Sequence, residues 1–184
     1  MKEKIHDKGY KRLFSNRTTV LHFLWHYLGE PWMKELKEEN LIPMDKQFIQ
    51  ESFQVKEADV IYRIQYRERT LYFFLLLEFQ STVDPAMAFR LLTYAVEVMR
   101  RDRENAGPSS GKHNGCGLPM ILPVVLYNGA RRWSAARSLK ECFIGPEELR
   151  DEMNLRYRLV DIGRLPEPDL LQGVTLLECV FLLE

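Results

Sequence analysis

Seven apolar residues in a row, Leu71-Tyr72-Phe73-Phe74-Leu75-Leu76-Leu77, end at Glu78-Phe79-Gln80. A run that is apolar at both phases of a two-residue period reads as a central strand buried between layers, so this chain must build a sheet covered on both faces. Ahead of it come the polar connection Arg67-Glu68-Arg69-Thr70 and a second strand-like segment, Ala58 to Tyr66. Two such runs around a short polar link predict a hairpin. In a symmetric register Asp59 lies opposite Glu78, with Cβ atoms about 4.5–5.5 Å apart, and Gln80 points to the same side as Glu78. Two carboxylates that close repel unless a cation lies between them, which makes the pair a candidate divalent-metal site. The competing reading is the ordinary solvated end of a strand. A loop of odd length would shift the pairing by one residue and put the two acids on opposite faces.

Several separated segments then resemble one family. Asp59, Glu78-Phe79-Gln80-Ser81-Thr82, Phe89-Arg90-Leu91-Leu92-Thr93-Tyr94, Pro123-Val124-Val125-Leu126-Tyr127-Asn128-Gly129 and the opening His6-Asp7-Lys8-Gly9-Tyr10-Lys11-Arg12-Leu13-Phe14 occur in the family's order. Together they resemble the recombination-promoting nuclease family, also labelled YhgA-like transposase, over nearly the whole chain. The resemblance implies a place in the PD-(D/E)XK nuclease superfamily. It also implies an α/β fold with a restriction-endonuclease-like core, a mixed central β-sheet with flanking helices. On this analogy Asp59 is the first acidic residue of the motif, Glu78 is the second, and Gln80 stands where lysine is usual. The implied activity is Mg2+-dependent DNA endonuclease chemistry, with Mn2+ as an alternative cofactor. Asp59, Glu78 and the Phe79 carbonyl would be metal ligands, and Gln80 would orient water or the scissile phosphate.

The glutamine changes the chemistry available. A lysine ammonium stabilises charge developing on phosphate, whereas a glutamine amide is neutral and only donates or accepts hydrogen bonds. Lys56 has the opposite strand parity from Asp59 and does not fill the vacant role. A second function therefore stays open: a catalytically weak DNA-binding or protein-interaction module that retains the nuclease fold.

At 184 residues, with 46% hydrophobic and 28% charged residues, the chain has the size and composition of one globular domain, expected to span 1–184. No stretch reaches the length needed to cross a bilayer and the start has no apolar leader core, so no membrane partner is expected and the cytoplasm is the expected location. The apolar pattern Val180-Phe181-Leu182-Leu183 runs up to the last residue, from which a longer natural chain is expected. Cys116, Cys142 and Cys179 are widely spaced with no Cys-x-x-Cys pair, which predicts reduced thiols.

Formal net charge is zero. Affinity for DNA depends on neutralising phosphates, so any basic footprint has to be local. Candidate clusters are Lys8, Lys11, Arg12 and Arg17; Arg63, Arg67 and Arg69; Arg100, Arg101 and Arg103; and Arg131, Arg132 and Arg137. Each competes with the ordinary reading of a solvated charged face. Arg63 shares the parity of Asp59 and is a candidate phosphate contact.

Elsewhere, Asp7 and Ser15-Asn16 are N-cap signals for two helices, the first ending near Phe14 and the second carrying Val20, Leu21, Leu24 and Leu28 until Gly29-Glu30-Pro31. A polar helical stretch to Asn40 and an edge strand over Phe48 to Val55 should follow. Asp84-Pro85 opens a helix with Met87, Leu91, Tyr94, Ala95 and Val98 at helical spacing, ending near Asn105. Asn105 to Gly117 is a surface loop without a phosphate-loop signature. Pro123 begins a strand to Tyr127, Asn128-Gly129 turns, and Ser134 to Cys142 is a short helix. Leu155 to Asp161 is another strand, and Asp169 to Glu184 is helical. His22 and His26, four apart, have zinc-binding spacing, but their apolar neighbours favour packed histidines. Phe89, Tyr94, Tyr127 and Trp133 sit at helix or strand spacing and read as core.

Overall fold

The computed structural model describes residues 9–44, 60–66, 71–106, 118–165 and 176–182, with 71–78 described by their backbone. The β-branched and aromatic run of β2 (Val60–Tyr66) pairs antiparallel with β3 (Leu71–Gln80), from Val60 opposite Leu77 to Tyr66 opposite Leu71. This is the symmetric hairpin expected from the sequence. A short edge strand, β1 (Leu41–Pro43), adds antiparallel to β2. On the other side of β3, β4 (Met120–Tyr127) and β5 (Arg158–Asp161) add in parallel, completing the order β1-β2-β3-β4-β5. The sheet is therefore mixed, and its last three strands end along one edge.

Strand periodicity sends alternate residues to two cores. One face carries Tyr62, Ile64, Phe79, Val124, Leu126 and Val160. It is covered by α1 (residues 9–13), α2 (Arg17–Phe23) and the helix Leu176–Leu182, through Tyr10, Phe14, Val20, Phe23, Leu177 and Phe181. The other face carries Ile61, Val125 and Tyr127 under α3 (Met87–Ala106), which contributes Met87, Ala88, Leu91, Tyr94 and Val98. The Tyr62 hydroxyl donates to the Phe14 carbonyl at 2.9 Å, tying β2 to the end of α1. Burial pushes that phenol's pKa up.

Local signals account for the helix ends. Asn16 caps α2 by accepting from the Thr18 and Thr19 N–H groups, a contact type worth about 1 kcal/mol. The helix then widens into a π turn, Leu24–Leu28, where the Gly29 N–H reaches the Leu24 carbonyl and Gly29 takes φ of 67°. Only glycine adopts that left-handed conformation at little steric cost. Asp84 precedes α3 as expected, its Oδ1 accepting from the Ala86 N–H at 2.9 Å.

Some elements differ from the sequence reading. The polar stretch to Asn40 is two short 3-10 segments, Pro31–Glu35 and Glu38–Asn40, rather than one helix. Pro31 and the extended backbone at Leu36 and Lys37 break the α-helical ladder. The observed edge strand is Leu41–Pro43, and Phe48 to Val55 lie outside the described residues. Strand β4 starts before Pro123. The proline is accommodated because pairing with β5 begins only at Val124, so this stretch is paired on one side. Of Ser134 to Cys142 only Leu139–Cys142 is helical, as a 3-10 turn, because Ser138 is held extended in a bridge to Arg156. No helix among the described residues is long and apolar enough to cross a membrane.

Candidate functional site

The parallel strands β3, β4 and β5 bring Gln80, Tyr127 and Asp161 to one edge of the sheet. Gln80 pairs with Tyr127, and Tyr127 belongs to the core under α3. Strand alternation then places positions 78 and 80 on the α3 side and 79 on the other. Phe79 confirms this parity: its ring lies in the opposite core, stacked on Tyr10 with centroids 5.5 Å apart and 5.2 Å from Phe14. The side chain of Phe79 thus has no access to the α3 side, and only its backbone carbonyl is a possible ligand. Asp59, which the hairpin register would set opposite Glu78, lies outside the described residues.

The edge is rigidly built. The Asn128 N–H donates to the Gln80 carbonyl at 3.0 Å. Gly129 follows without a positive φ, so its role is close approach: a Cβ there would lie 2.3 Å from the Tyr127 hydroxyl and 2.4 Å from the Ser81 carbonyl oxygen. The Tyr127 hydroxyl donates to the Arg131 carbonyl at 2.6 Å, and its ring meets Trp133 edge-on at 5.0 Å. Trp133 Nε1 in turn donates to the Tyr157 hydroxyl at 2.9 Å, and that hydroxyl donates to the Ala136 carbonyl at 2.7 Å. Burial dominates at Tyr157 and pushes its phenol up to about 12.

Above the edge, the start of α3 holds a contact that the sequence reading missed. Arg90 Nη1 bonds Asp84 Oδ2 at 2.8 Å while Asp84 Oδ1 accepts from the Ala86 N–H in the turn just ahead of the helix. The two residues are six apart, a spacing with no regular helical signature, so no periodic pattern reveals the pair. Further along, Arg100 and Arg101 bond the buried Glu97, at 2.7 and 2.8 Å, and Arg100 also pairs with Glu104. These two members of a candidate basic cluster are charge-compensated within the helix. Their i,i+3 and i,i+4 spacings carried the signal. Burial raises the pKa of Asp102, opposed by the nearby charge of Arg63, so Arg63 acts on α3.

Other candidates separate from this edge. His22 and His26 have ring centroids 5.9 Å apart, and no group of three or more potential metal-binding side chains occurs among the described residues. Tyr94, Tyr127 and Trp133 are core, as expected, but Phe89 is 62% exposed on the outer side of α3. Cys142 and Cys179 are free and exposed, and Cys116 lies outside the described residues. An apolar cavity of about 370 Å3 lined by Phe143, Ile144, Leu149 and Met153 contains none of the candidate site residues.

A mixed sheet with helices on both faces defines an α/β protein, and the ends of its parallel strands, at Gln80, Tyr127 and Asp161, are where open sheets of this class commonly place ligands. Residues 4–183 match the family model described as "Putative transposase, YhgA-like", and the chain belongs to that family. It is 29% identical over 169 residues to recombination-promoting nuclease RpnC of Escherichia coli (strain K12), covering 91% of this chain and 53% of that protein. It is 29% identical over 181 residues to recombination-promoting nuclease RpnD of Escherichia coli O157:H7, covering 95% and 66%. The inactive recombination-promoting nuclease-like protein RpnE of Escherichia coli (strain K12) is 25% identical over 178 residues, covering 95% and 57%. The chain thus spans between about half and two thirds of the length of these relatives. No solved structure matches it significantly.

Proposed function

We propose that this chain is a single PD-(D/E)XK-type domain of a metal-dependent DNA endonuclease that acts in the cytoplasm and promotes recombination. Asp59, Glu78 and the Phe79 carbonyl hold the cation, and Gln80 orients the attacking water or the scissile phosphate. The observation that supports the reading is the hairpin register, which runs from Tyr66 opposite Leu71 to Val60 opposite Leu77; the same register carried one residue further would bring Asp59 across from Glu78, on the face that position 80 shares. Backbone direction supports the third ligand. The Gln80 carbonyl is turned toward β4, where it accepts from Asn128, so strand alternation turns the Phe79 carbonyl toward β2, whose described pairing ends at Val60.

Two carboxylates and a carbonyl form an all-oxygen donor set, which suits Mg2+, with Mn2+ as the alternative. When bound, such a cation supplies Lewis-acid activation of water and neutralises phosphate charge. The chain's own residues would do the rest: the two acids would supply oxygen ligands, and the Gln80 amide would direct a lone pair or a proton without adding charge. The Asn128 N–H fixes the Gln80 backbone at the end of β3.

A second reading is favoured by one observation: some relatives of similar identity are named inactive. In that reading the chain is a binding module with weak or no catalysis. Nicking of supercoiled DNA in Mg2+ or Mn2+ separates the two. Under the nuclease reading, wild type nicks while folded Asp59→Ala and Glu78→Ala proteins do not. Equal nicking by all three proteins, or none by wild type in either metal, supports the module.

A further inference from the structure

We propose that Arg131 and Arg132 form a preorganised clamp for backbone phosphates of duplex DNA beside the edge where β3, β4 and β5 end. The choice of DNA rests on the nuclease reading; the clamp itself rests on three independent observations.

The first is placement. The Asn128 N–H is bonded to the Gln80 carbonyl, and Arg131 is three residues further on, so its Cα lies within about 11 Å of the Asn128 Cα by chain length. That spacing puts the start of the pair near the end of β3, where two extended guanidinium side chains would meet phosphates passing that edge.

The second is rigidity. The Arg131 carbonyl accepts from the buried Tyr127 hydroxyl, Gly129 is wedged between Tyr127 and Ser81, and Trp133, 7% exposed, anchors the far end through Tyr157. Backbone on both sides of the pair is fixed while both arginine side chains are exposed. Little backbone ordering then remains to be lost on binding.

The third is charge. The chain is neutral overall, yet residues 128–140 hold Arg131, Arg132, Arg137 and Lys140 and no Asp or Glu. Within this segment Lys140 is paired with Asp151, and elsewhere Arg90, Arg100, Arg101, Arg158 and Arg164 are each paired with a carboxylate. Among the described residues Arg131 and Arg132 make no salt bridge, so their charge is available to an incoming anion. A guanidinium is also the side chain best matched to phosphate geometry.

The test measures binding of a mixed-sequence fluorescent DNA duplex by anisotropy in EDTA, from 50 to 200 mM salt, so that cleavage does not enter. Arg131→Gln/Arg132→Gln should lower the slope of log affinity against log salt by about 1.8, since each neutralised phosphate contributes about 0.9. Over that range wild-type affinity should then fall about 12-fold more than that of the variant. Arg131→Lys/Arg132→Lys, which keeps both charges, should retain most of the slope. Arg12→Gln/Arg17→Gln removes the same charge from the opposite side of the sheet and should leave the slope unchanged. Thermal unfolding confirms that each variant is folded. The clamp is overturned by a wild-type slope in the double glutamine variant, by an equal loss in the Arg12/Arg17 control, or by no duplex binding in wild type. Wild type that binds with this dependence yet nicks nothing refutes the nuclease reading and leaves the clamp standing. Nicking by wild type with an unchanged slope in the variant does the reverse.

Discussion

Gly129→Ala tests how tightly the edge of the site is built. The added methyl would lie 2.3 Å from the Tyr127 hydroxyl, 2.4 Å from the Ser81 carbonyl oxygen and 2.5 Å from Tyr127 Cζ. None of these atoms is the loose end of a flexible chain. Tyr127 is 1% exposed, bonded to the Arg131 carbonyl and packed against Trp133, and the Ser81 oxygen is main chain directly after Gln80. Overpacking of this kind costs about 1–3 kcal/mol, and three such contacts against fixed atoms place this case near the upper end, about 3 kcal/mol. For a protein of this size that lowers Tm by about 6–12 °C. Urea unfolding followed by tryptophan fluorescence, together with thermal unfolding by circular dichroism, measures both. In a Tyr127→Phe background the closest contact is gone while Cζ and the Ser81 oxygen remain, so the penalty should shrink without vanishing. Gly129→Ala within about 1 kcal/mol of wild type would refute the argument that close approach, rather than backbone conformation, demands glycine here.

Tyr157 should titrate near pH 12 rather than 10, read as the phenolate absorbance missing from Tyr157→Phe. Because the folded pKa is the higher one, its contribution to stability should be intact below pH 10 and lost as pH rises from 10 toward 12; an ordinary phenol titration would contradict the burial. Gln80→Lys should retain metal binding by calorimetry, with DNA nicking at least equal to wild type, because an ammonium stabilises phosphate charge that an amide cannot. Normal metal affinity with abolished nicking would instead show a specific need for the amide. Asn16→Ala should cost about 1 kcal/mol, and hence about 2–4 °C in Tm, by removing the cap of α2, with no change in DNA binding. An unchanged Tm would mean that water replaces the cap at no cost.

The hairpin and the long helix were legible in the sequence because their signals are local and periodic. The run Leu71 to Leu77 required a covered strand, the polar link set the register, and Asp84 with Met87, Leu91, Tyr94, Ala95 and Val98 marked the start and inner face of α3. The family, too, was readable from motifs in order. Tertiary structure decided what depends on partners distant in the chain. Whether a short apolar segment pairs at all depends on a free neighbouring edge, which is what made Leu41–Pro43 a strand; likewise the bridge from Ser138 to Arg156 held that residue extended and left Leu139–Cys142 as a single 3-10 turn. The same holds for charge: Arg100 and Arg131 look alike in a list of cations, but packing gives one a buried carboxylate and leaves the other open to solvent. Sequence alone determined which residue types stand at the candidate site. The fold determined that β3, β4 and β5 run parallel, and so brought Gln80, Asn128 and Arg131 to the same edge, because only the direction of strand pairing decides which ends meet.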